Sequence, residues 1–385
     1  MKRNIVIIGA GLTGLVAGYR LSQKGYEVTI YERGSDIGGL MGGFKIGGTS
    51  IEKAYHHIFK TDKYIIGLIK ELGLENKLKW HSEKTAVYYD GKIYPFMGVI
   101  DLLKFKPLDL ISKIRLGLVK IYLEKENNWH QFEKVTAVSW MKRWCGVKAY
   151  KVIWEPLLKG KFHDRYKDIS MAWLWARINT RANSGGYLGY LDGGFQQIAD
   201  ELAEKIKENG GEILLNTEYR AQASSAPTLY TGALKEIKYL GAVCVVFTSK
   251  QSLSPYYWHN MSDIESPFLA FIQHTNLVDK KQYGNKHVYY MGTYLPNDEL
   301  SENTDYFFDY LKKIYPEFKG PEEKWVFKFK NAQHIVTTNY KVPRYKISKN
   351  LYQANFAQIF PEDRGTNFAV REGEKVAEMI MADPE

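Results

Sequence analysis

The sequence predicts an α/β fold that opens on a βαβ unit and carries a second lobe of mixed β-sheet and helix. Three observations predict it. A short β-branched run, Asn4 to Ile8, leads through "GAGLTG" into a helical apolar pattern that reaches about Lys24. A second strand, "EVTIY", follows the helix-ending Gly25. After Gly193 and Gly194, the helical stretch "FQQIADELAEKIKENGG" and the strand "EILLN" return the chain to an α/β layer, so the opening domain is expected to be discontinuous.

Length and composition bound the rest. A chain of 385 residues with 45% hydrophobic content is long enough for two connected domains, each with a real core. The net charge of +10 suits anionic partners such as lipid or phosphorylated substrates. With no zinc-finger spacing and no RNP-type motif, nucleic acid is not an expected partner. Cys145 and Cys244 stand far apart with no metal-type spacing, which argues for a reduced, intracellular setting and no metal site. The first residues run straight into "NIVIIGAG" with no signal-peptide pattern, so a cytoplasmic location is expected. No run approaches the ~18 apolar residues of a spanning helix, which leaves peripheral membrane contact open.

In Gly9-Ala10-Gly11-Leu12-Thr13-Gly14 the first glycine permits a tight turn, the second lets backbone approach a pyrophosphate, and the third lets helix pack on strand. The helix N-terminus then faces the phosphates. Glu32 ends the second strand 21 residues after Gly11, where a carboxylate bonds the adenosine ribose. Strand, helix, strand and acid in this order read as a Rossmann-type dinucleotide site. A second glycine cluster follows at once, from Gly38 and Gly39 to Gly47 and Gly48. The segment from 65 to 181 is rich in helix formers and tryptophan and reads as a helical layer, while strand-like runs dominate from "GAVCVVF" to about Asn339.

"YERGSDIGGLMGGF" resembles the signature of the amine oxidase, protoporphyrinogen oxidase and phytoene desaturase superfamily of FAD enzymes. That resemblance turns the dinucleotide from NAD to FAD and implies that Glu32, Arg33, Gly38, Gly39 and Leu40 wrap its phosphates and ribityl chain. Many members carry an arginine after the double glycine, where this chain has Leu40 and Met41. "PEDRGTNFAVREG" is similar to the family's closing motif, which points a helix N-terminus at the flavin ring and implies roles for Arg364, Gly365, Thr366 and Ala369, with Asp363 reaching the ribityl hydroxyls. Asn355 stands roughly where the superfamily has an acid. The blocks "IEKAYHHIF", "WEPLLKGKF", "AWLWARI", "GYLDGGF" and "YLGAVCVVF" extend the likeness over nearly the whole chain, closest to the protoporphyrinogen-oxidase-like subgroup. The implied fold is a GR2-like, discontinuous FAD-binding domain of residues 1–64, 185–240 and 345–385, with a substrate lobe of 65–184 and 241–344. One departure follows "EILLNTEY", where the family continues with a strand-turn-strand and a further strand beneath the adenine. "RAQASSAPTLYTG" shows no alternating apolar pattern, so part of that domain is expected to be missing beside Tyr219, whose backbone would pair with adenine.

For the reacting groups, "YHHIFKTD" also resembles the histidine segment of UDP-galactopyranose mutases, and His57, with His56 beside it, is the candidate to tune the flavin or relay protons near neutral pH. The ordinary alternative is a buried structural histidine. Gln333 and His334 lie on an expected strand of the second lobe and could orient a substrate; Lys328 and Lys330 alternate with Phe327 and Phe329 as on a half-solvated strand. No G-x-S-x-G elbow, H-E-x-x-H or P-loop is present, and flavin chemistry requires none. Between Leu108 and Lys125, apolar Ile111, Ile114, Leu118 and Ile121 recur at helical spacing among Lys113, Arg115 and Lys120. Such a helix lies on an anionic membrane or, more ordinarily, packs on its own domain. The resulting expectation is an FAD-dependent oxidoreductase taking hydride from an apolar, lipid-linked or polycyclic substrate. The alternatives are a redox-neutral sugar-nucleotide mutase and a non-catalytic flavoprotein relative.

Overall fold

The computed structural model describes residues 3–82, 84–220 and 226–383. A six-stranded sheet has the order Glu212–Leu214, Glu27–Tyr31, Asn4–Ile8, Thr228–Tyr230, Leu351–Gln353 and Lys346–Ser348. Its first five strands run parallel and the last is antiparallel. The central strands bury Ile5, Ile7, Val28 and Ile30 under one layer of helices, Leu12–Ser22, Gln196–Glu208 and Thr366–Ala382, of which the first packs against both others. The first and last helices approach closely because Gly373 has no side chain; a Cβ there would sit 2.7 Å from the Thr13 carbonyl oxygen.

A seven-stranded sheet forms the second layer, ordered Glu323–His334, Tyr239–Ser249, His287–Leu295, Ala270–Gln273, Trp258–Met261, Thr85–Tyr89 and Lys92–Pro95. It is antiparallel apart from the pairing of Trp258–Met261 with Thr85–Tyr89. Lys328 and Lys330 point to solvent while Phe327 and Phe329 pack inward, as the period-two alternation implies. Two small sheets, Gly43–Ile46 with Thr49–Glu52 and Ile58–Phe59 with Tyr187–Leu191 and Leu78–Ser82, join the layers.

Two expectations are corrected here. The helical layer does not begin at residue 65: Leu78–Ser82, Thr85–Tyr89 and Lys92–Pro95 are strands, and helices dominate only from Val99. The last two complete the edge of the large sheet and the first pairs with Tyr187–Leu191 in a small one, and tertiary pairing outweighs the helix formers around them. The strand read as absent after Tyr219 is present. Thr228–Tyr230 lies between the first strand and Leu351–Gln353, and Thr231 donates its hydroxyl to the Ile8 carbonyl at 2.9 Å. A strand of three residues with one buried side chain, Leu229, is too short to show an alternation, which is why the pattern does not reveal it.

The basic helix, Leu110–Lys125, packs on its own domain, but not through the apolar stripe read from the sequence. It buries Ser112, Leu116, Val119 and Leu123 against the helical layer, so the stripe of Ile111, Ile114, Leu118 and Ile121 faces outward, with Ile111 72% and Leu118 62% exposed.

Candidate functional site

The first strand ends at Ile8 because Gly9 takes φ +110°, and a Cβ on it would strike Thr231 Oγ1 at 2.5 Å. Gly14 is fixed more tightly, since its Cβ would lie 2.1 Å from the Gly9 carbonyl oxygen. Gly11 is the exception: its Cβ would meet nothing within 4 Å, so this face of the loop is open. The helix Leu12–Ser22 starts there with no side-chain cap and no acidic residue in its first turn, leaving its N-terminal donors for an anion. The second glycine cluster seats against the first. Gly38 donates its N–H to the Ala10 carbonyl at 2.8 Å, pairs with Gly11, and is followed by Gly39, whose Cβ would press Gly11 Cα at 3.1 Å. Glu32 spans the two segments, accepting the Ala10 N–H at 2.9 Å and the Gly34 N–H at 2.7 Å. A pyrophosphate at the uncapped helix end and a ribose at Glu32 are what this cradle fits. Arg33 beside Glu32 is exposed, and the Tyr219 ring packs edge-on against Tyr31 at 5.1 Å.

Past the double glycine, Leu40 borders a cavity of about 220 Å³ between the two large sheets. Gly365, Thr366, Asn367 and Phe368, at the uncapped start of the last helix, form one wall. Val243, Cys244 and Phe329, from the seven-stranded sheet, form another. Ala369 sits half-buried one residue further along that helix and packs against the core.

The cavity floor is charged. Asp363 accepts Lys161 Nζ at 2.7 Å and Arg177 Nη1 at 2.6 Å on one oxygen, and the Trp173 indole N–H at 3.1 Å on the other. Trp173 and Arg177 stand four residues apart on the helix Met171–Ala182, so one helix face delivers both. Arg364 turns the opposite way, donating to Gln333 Oε1 at 3.2 Å and to the Tyr294 hydroxyl at 2.8 Å. Burial works against the Asp363 carboxylate, but Lys161 and Arg177 outweigh it and hold the group well below the usual carboxylate range. Burial would also raise the Tyr294 phenol, yet Arg364 and Lys161 draw it below 10.0. Cys244, on the sheet wall, is pushed up to about 12 by burial and stays a thiol.

These positions revise several assignments. Asp363 is the counter-ion of a buried cation cluster, and its oxygens are engaged there rather than free toward a ribityl chain. Asn355 caps a short turn, accepting the Ala357 N–H at 2.7 Å and donating to the Gly232 carbonyl, and does not line the cavity. Gln333 is fully buried behind Arg364 and also does not line it; its amide orients that guanidinium and donates to the His334 carbonyl at 2.9 Å. His56 and His57 do face the cavity. Burial takes His57 down to about 3, helped by Arg181, and His56 down to about 4, so both are neutral at pH 7. His57 Nδ1 lies 3.3 Å from the Tyr257 hydroxyl.

Sequence reasoning missed Lys161, Arg177, Trp173, Tyr294 and Asn367. A signal existed only for Arg177, the one charged residue in the otherwise apolar "AWLWARI". Asn367 accepts the Tyr64 and Ile65 N–H groups at 2.9 and 3.2 Å and ties the helix Lys63–Glu71 to the last helix. Among the described residues no group of three or more His, Cys, Asp or Glu could hold a metal, and no helix is long and apolar enough to cross a membrane.

Comparison with known proteins agrees with this cradle. Residues 12–221 match the family model described as flavin containing amine oxidoreductase. The 15-cis-phytoene desaturase of Synechococcus elongatus is 23% identical over 55% of this chain and 49% of its own length. Coproporphyrinogen III oxidase of Staphylococcus aureus is 24% identical over 54% of this chain and 45% of its own. The chain thus spans about half the length of these curated relatives. Among solved structures, an oxidoreductase from Methanosarcina mazei superposes with TM-score 0.74 at 15% identity, covering 97% of this chain and 100% of that one. Reduced UDP-galactopyranose mutase superposes with TM-score 0.74 at 15% identity, covering 99% and 96%. The likeness to these structures is one of fold. The family model covers more than half of the chain and the glycine cradle fits an FAD pyrophosphate and ribose: the protein belongs to the flavin containing amine oxidoreductase family.

Proposed function

We propose that the protein is an FAD-dependent oxidoreductase that removes hydride from an apolar or lipid-linked substrate reaching the cavity from a membrane surface. The observation that carries this reading is the continuity of the glycine cradle, through Leu40, with a cavity walled by the start of the last helix. FAD, when bound, supplies the two-electron acceptor, and the protein supplies position and electrostatics. Gly9, Gly11, Leu12, Thr13 and Gly14 would hold its phosphates, Glu32 a ribose, and Gly38 to Leu40 with Gly365 and Thr366 the run to the ring. The uncapped N–H groups at Thr366 favour negative charge developing near them. Val243, Phe329 and Leu269 exclude water, and uncharged His56 and His57 offer hydrogen bonds without a formal charge.

The membrane part of the reading rests on a second cavity of about 260 Å³, lined by Phe96, Met97, Ile153 and Trp154. It shares Leu157, Arg181, Asn260 and Leu269 with the first. Met97 at its edge is followed by exposed Val99, Ile100 and Leu103, and then by the outward stripe of the basic helix. Lys104, Lys113, Arg115 and Lys120 interleave with those apolar residues, which suits the headgroups of an anionic bilayer.

Two measurements test the reading. Purified protein incubated with FAD and then freed of unbound FAD by gel filtration should retain an absorption band at ~450 nm, and Glu32→Ala should need roughly tenfold more FAD for half-occupancy, the worth of a lost hydrogen bond from a charged group. A protein that stays colourless removes the proposal. Vesicles containing phosphatidylglycerol should sediment the protein, pure phosphatidylcholine should not, and Ile111→Glu with Leu118→Glu should abolish the difference; equal binding to both vesicles removes the membrane route.

A further inference from the structure

The floor of the cavity carries more positive charge than it needs for its own structure. Lys161, only 5% exposed, and Arg177 converge on Asp363, and Arg364 beside them has only the neutral partners Gln333 and Tyr294. That is three cations, Lys161 buried and Arg177 and Arg364 half-buried, against one carboxylate. Arg181 adds a fourth cation to the lining, and Asp62 is its other carboxylate. Burying unmatched charge is costly, and the cost falls when an anion joins the cluster. The FAD phosphates are not that anion on the reading above, because the residues from Gly9 to Gly14 lie outside the cavity lining.

We propose that Lys161, Arg177 and Arg364 form a subsite for an anionic group, a phosphate or carboxylate, on the substrate, so that the protein takes an anionic amphiphile and rejects a cationic amine. The placement of the two cavities supports the amphiphile. An apolar chain fits the second cavity between Phe96 and Trp154, while its charged end reaches the floor of the first through the shared wall at Leu157 and Arg181. Arg364 is held in place from behind by Gln333, and Arg177 by Asp363, so both cations are oriented before a ligand arrives. This inference rests on the proposed flavoprotein reading only in taking the cavity as the substrate site, and its failure is separable: a protein that binds FAD yet shows no anion preference refutes the subsite alone.

The test uses the FAD-loaded protein and three probes with the same chain, dodecyl phosphate, dodecanol and dodecylamine, read by the rise in melting temperature and by perturbation of the flavin spectrum. Dodecyl phosphate should bind at least roughly tenfold tighter than dodecanol, as expected for charge-assisted hydrogen bonds, with dodecylamine weakest. Arg177→Met and Lys161→Met should each lose about that tenfold, and Arg177→Lys should recover part of it. Should Lys161→Met fail to fold, the fall of wild-type affinity with added salt provides the independent reading. Inorganic pyrophosphate and UDP are separate arms: binding by either with the same dependence on Arg177 supports the subsite and identifies a soluble source for the anion. Dodecylamine binding as tightly as dodecyl phosphate overturns the proposal. So does unchanged dodecyl phosphate affinity in Arg177→Met accompanied by a shifted flavin midpoint potential, which would assign the cations to the flavin.

Discussion

Replacing Asp363 by asparagine keeps the side-chain shape and the acceptor for Trp173 but removes the one negative charge between Lys161, Arg177 and Arg364. Breaking a buried ion pair from one side costs about 3–5 kcal/mol, because the partner charge is left uncompensated. Unfolding entropy near 2.1 cal/mol/K per residue gives roughly 0.8 kcal/mol/K for a chain of 385 residues, so the expected drop in melting temperature is about 4–6 °C. Differential scanning calorimetry at pH 7 with saturating FAD measures it. The pH dependence carries a sign. Asp363 has a folded pKa below its ordinary 3.8, so its stabilisation is fully present above that value and fades as pH falls below it. The gap between wild type and variant should be constant at neutral pH and close only in strong acid. Adding dodecyl phosphate at about a hundred times its dissociation constant should return about 2.7 kcal/mol to the variant. An unchanged melting temperature in Asp363→Asn, or a gap that closes near pH 6, would refute the charge argument.

Gly14→Ala forces a Cβ to within 2.1 Å of the Gly9 carbonyl oxygen, so the loop must move; about 1–3 kcal/mol of stability and much of the FAD affinity should be lost, read by urea denaturation and flavin titration. Acid should unfold the protein early. His57 and His274 are lowered to about 3, and His56, His259 and His334 to about 4, all chiefly by burial, so the unfolded chain takes up protons below pH 6.5 that the folded chain refuses. Glu52, raised to about 7, and Asp62, raised to about 6, act in the opposite sense but are outnumbered. The urea midpoint should fall steeply between pH 6.5 and 4; a midpoint independent of pH there contradicts the burial of those rings.

The phosphate end of the site was legible in the sequence because its chemistry is local. The turn at Gly9, the packing at Gly14 and the acid at Glu32 lie within one βαβ unit, and each glycine answers to a clash that a Cβ would make. The cavity floor was not legible, because Lys161, Arg177, Tyr294 and Asp363 come from four separate segments and only tertiary packing brings them to one point. Asn355 and Gln333 were misread for a related reason: a polar residue near a site can serve it directly or hold another residue in place, and only the hydrogen bonds distinguish the two. The exposed stripe of the basic helix was readable as periodicity, but which face packs inward depends on Leu116, Val119 and Leu123 finding a surface to cover.

The order of strands in the six-stranded sheet has a consequence for synthesis. Asn4–Ile8 is synthesised before its neighbour Thr228–Tyr230, which follows more than two hundred residues later, and the strand beyond that, Leu351–Gln353, comes later still. Until then Asn4–Ile8 has only Glu27–Tyr31 beside it and its other edge is unpaired, and Val16, which packs against Gly373, waits for the helix Thr366–Ala382. A nascent chain of this kind is exposed to aggregation for most of its translation and matures in a late, concerted step. The residues placed at the FAD phosphates and ribose, Gly9 to Leu40, come early, whereas the cavity beside Leu40 is complete only once Gly365 and Thr366 have docked.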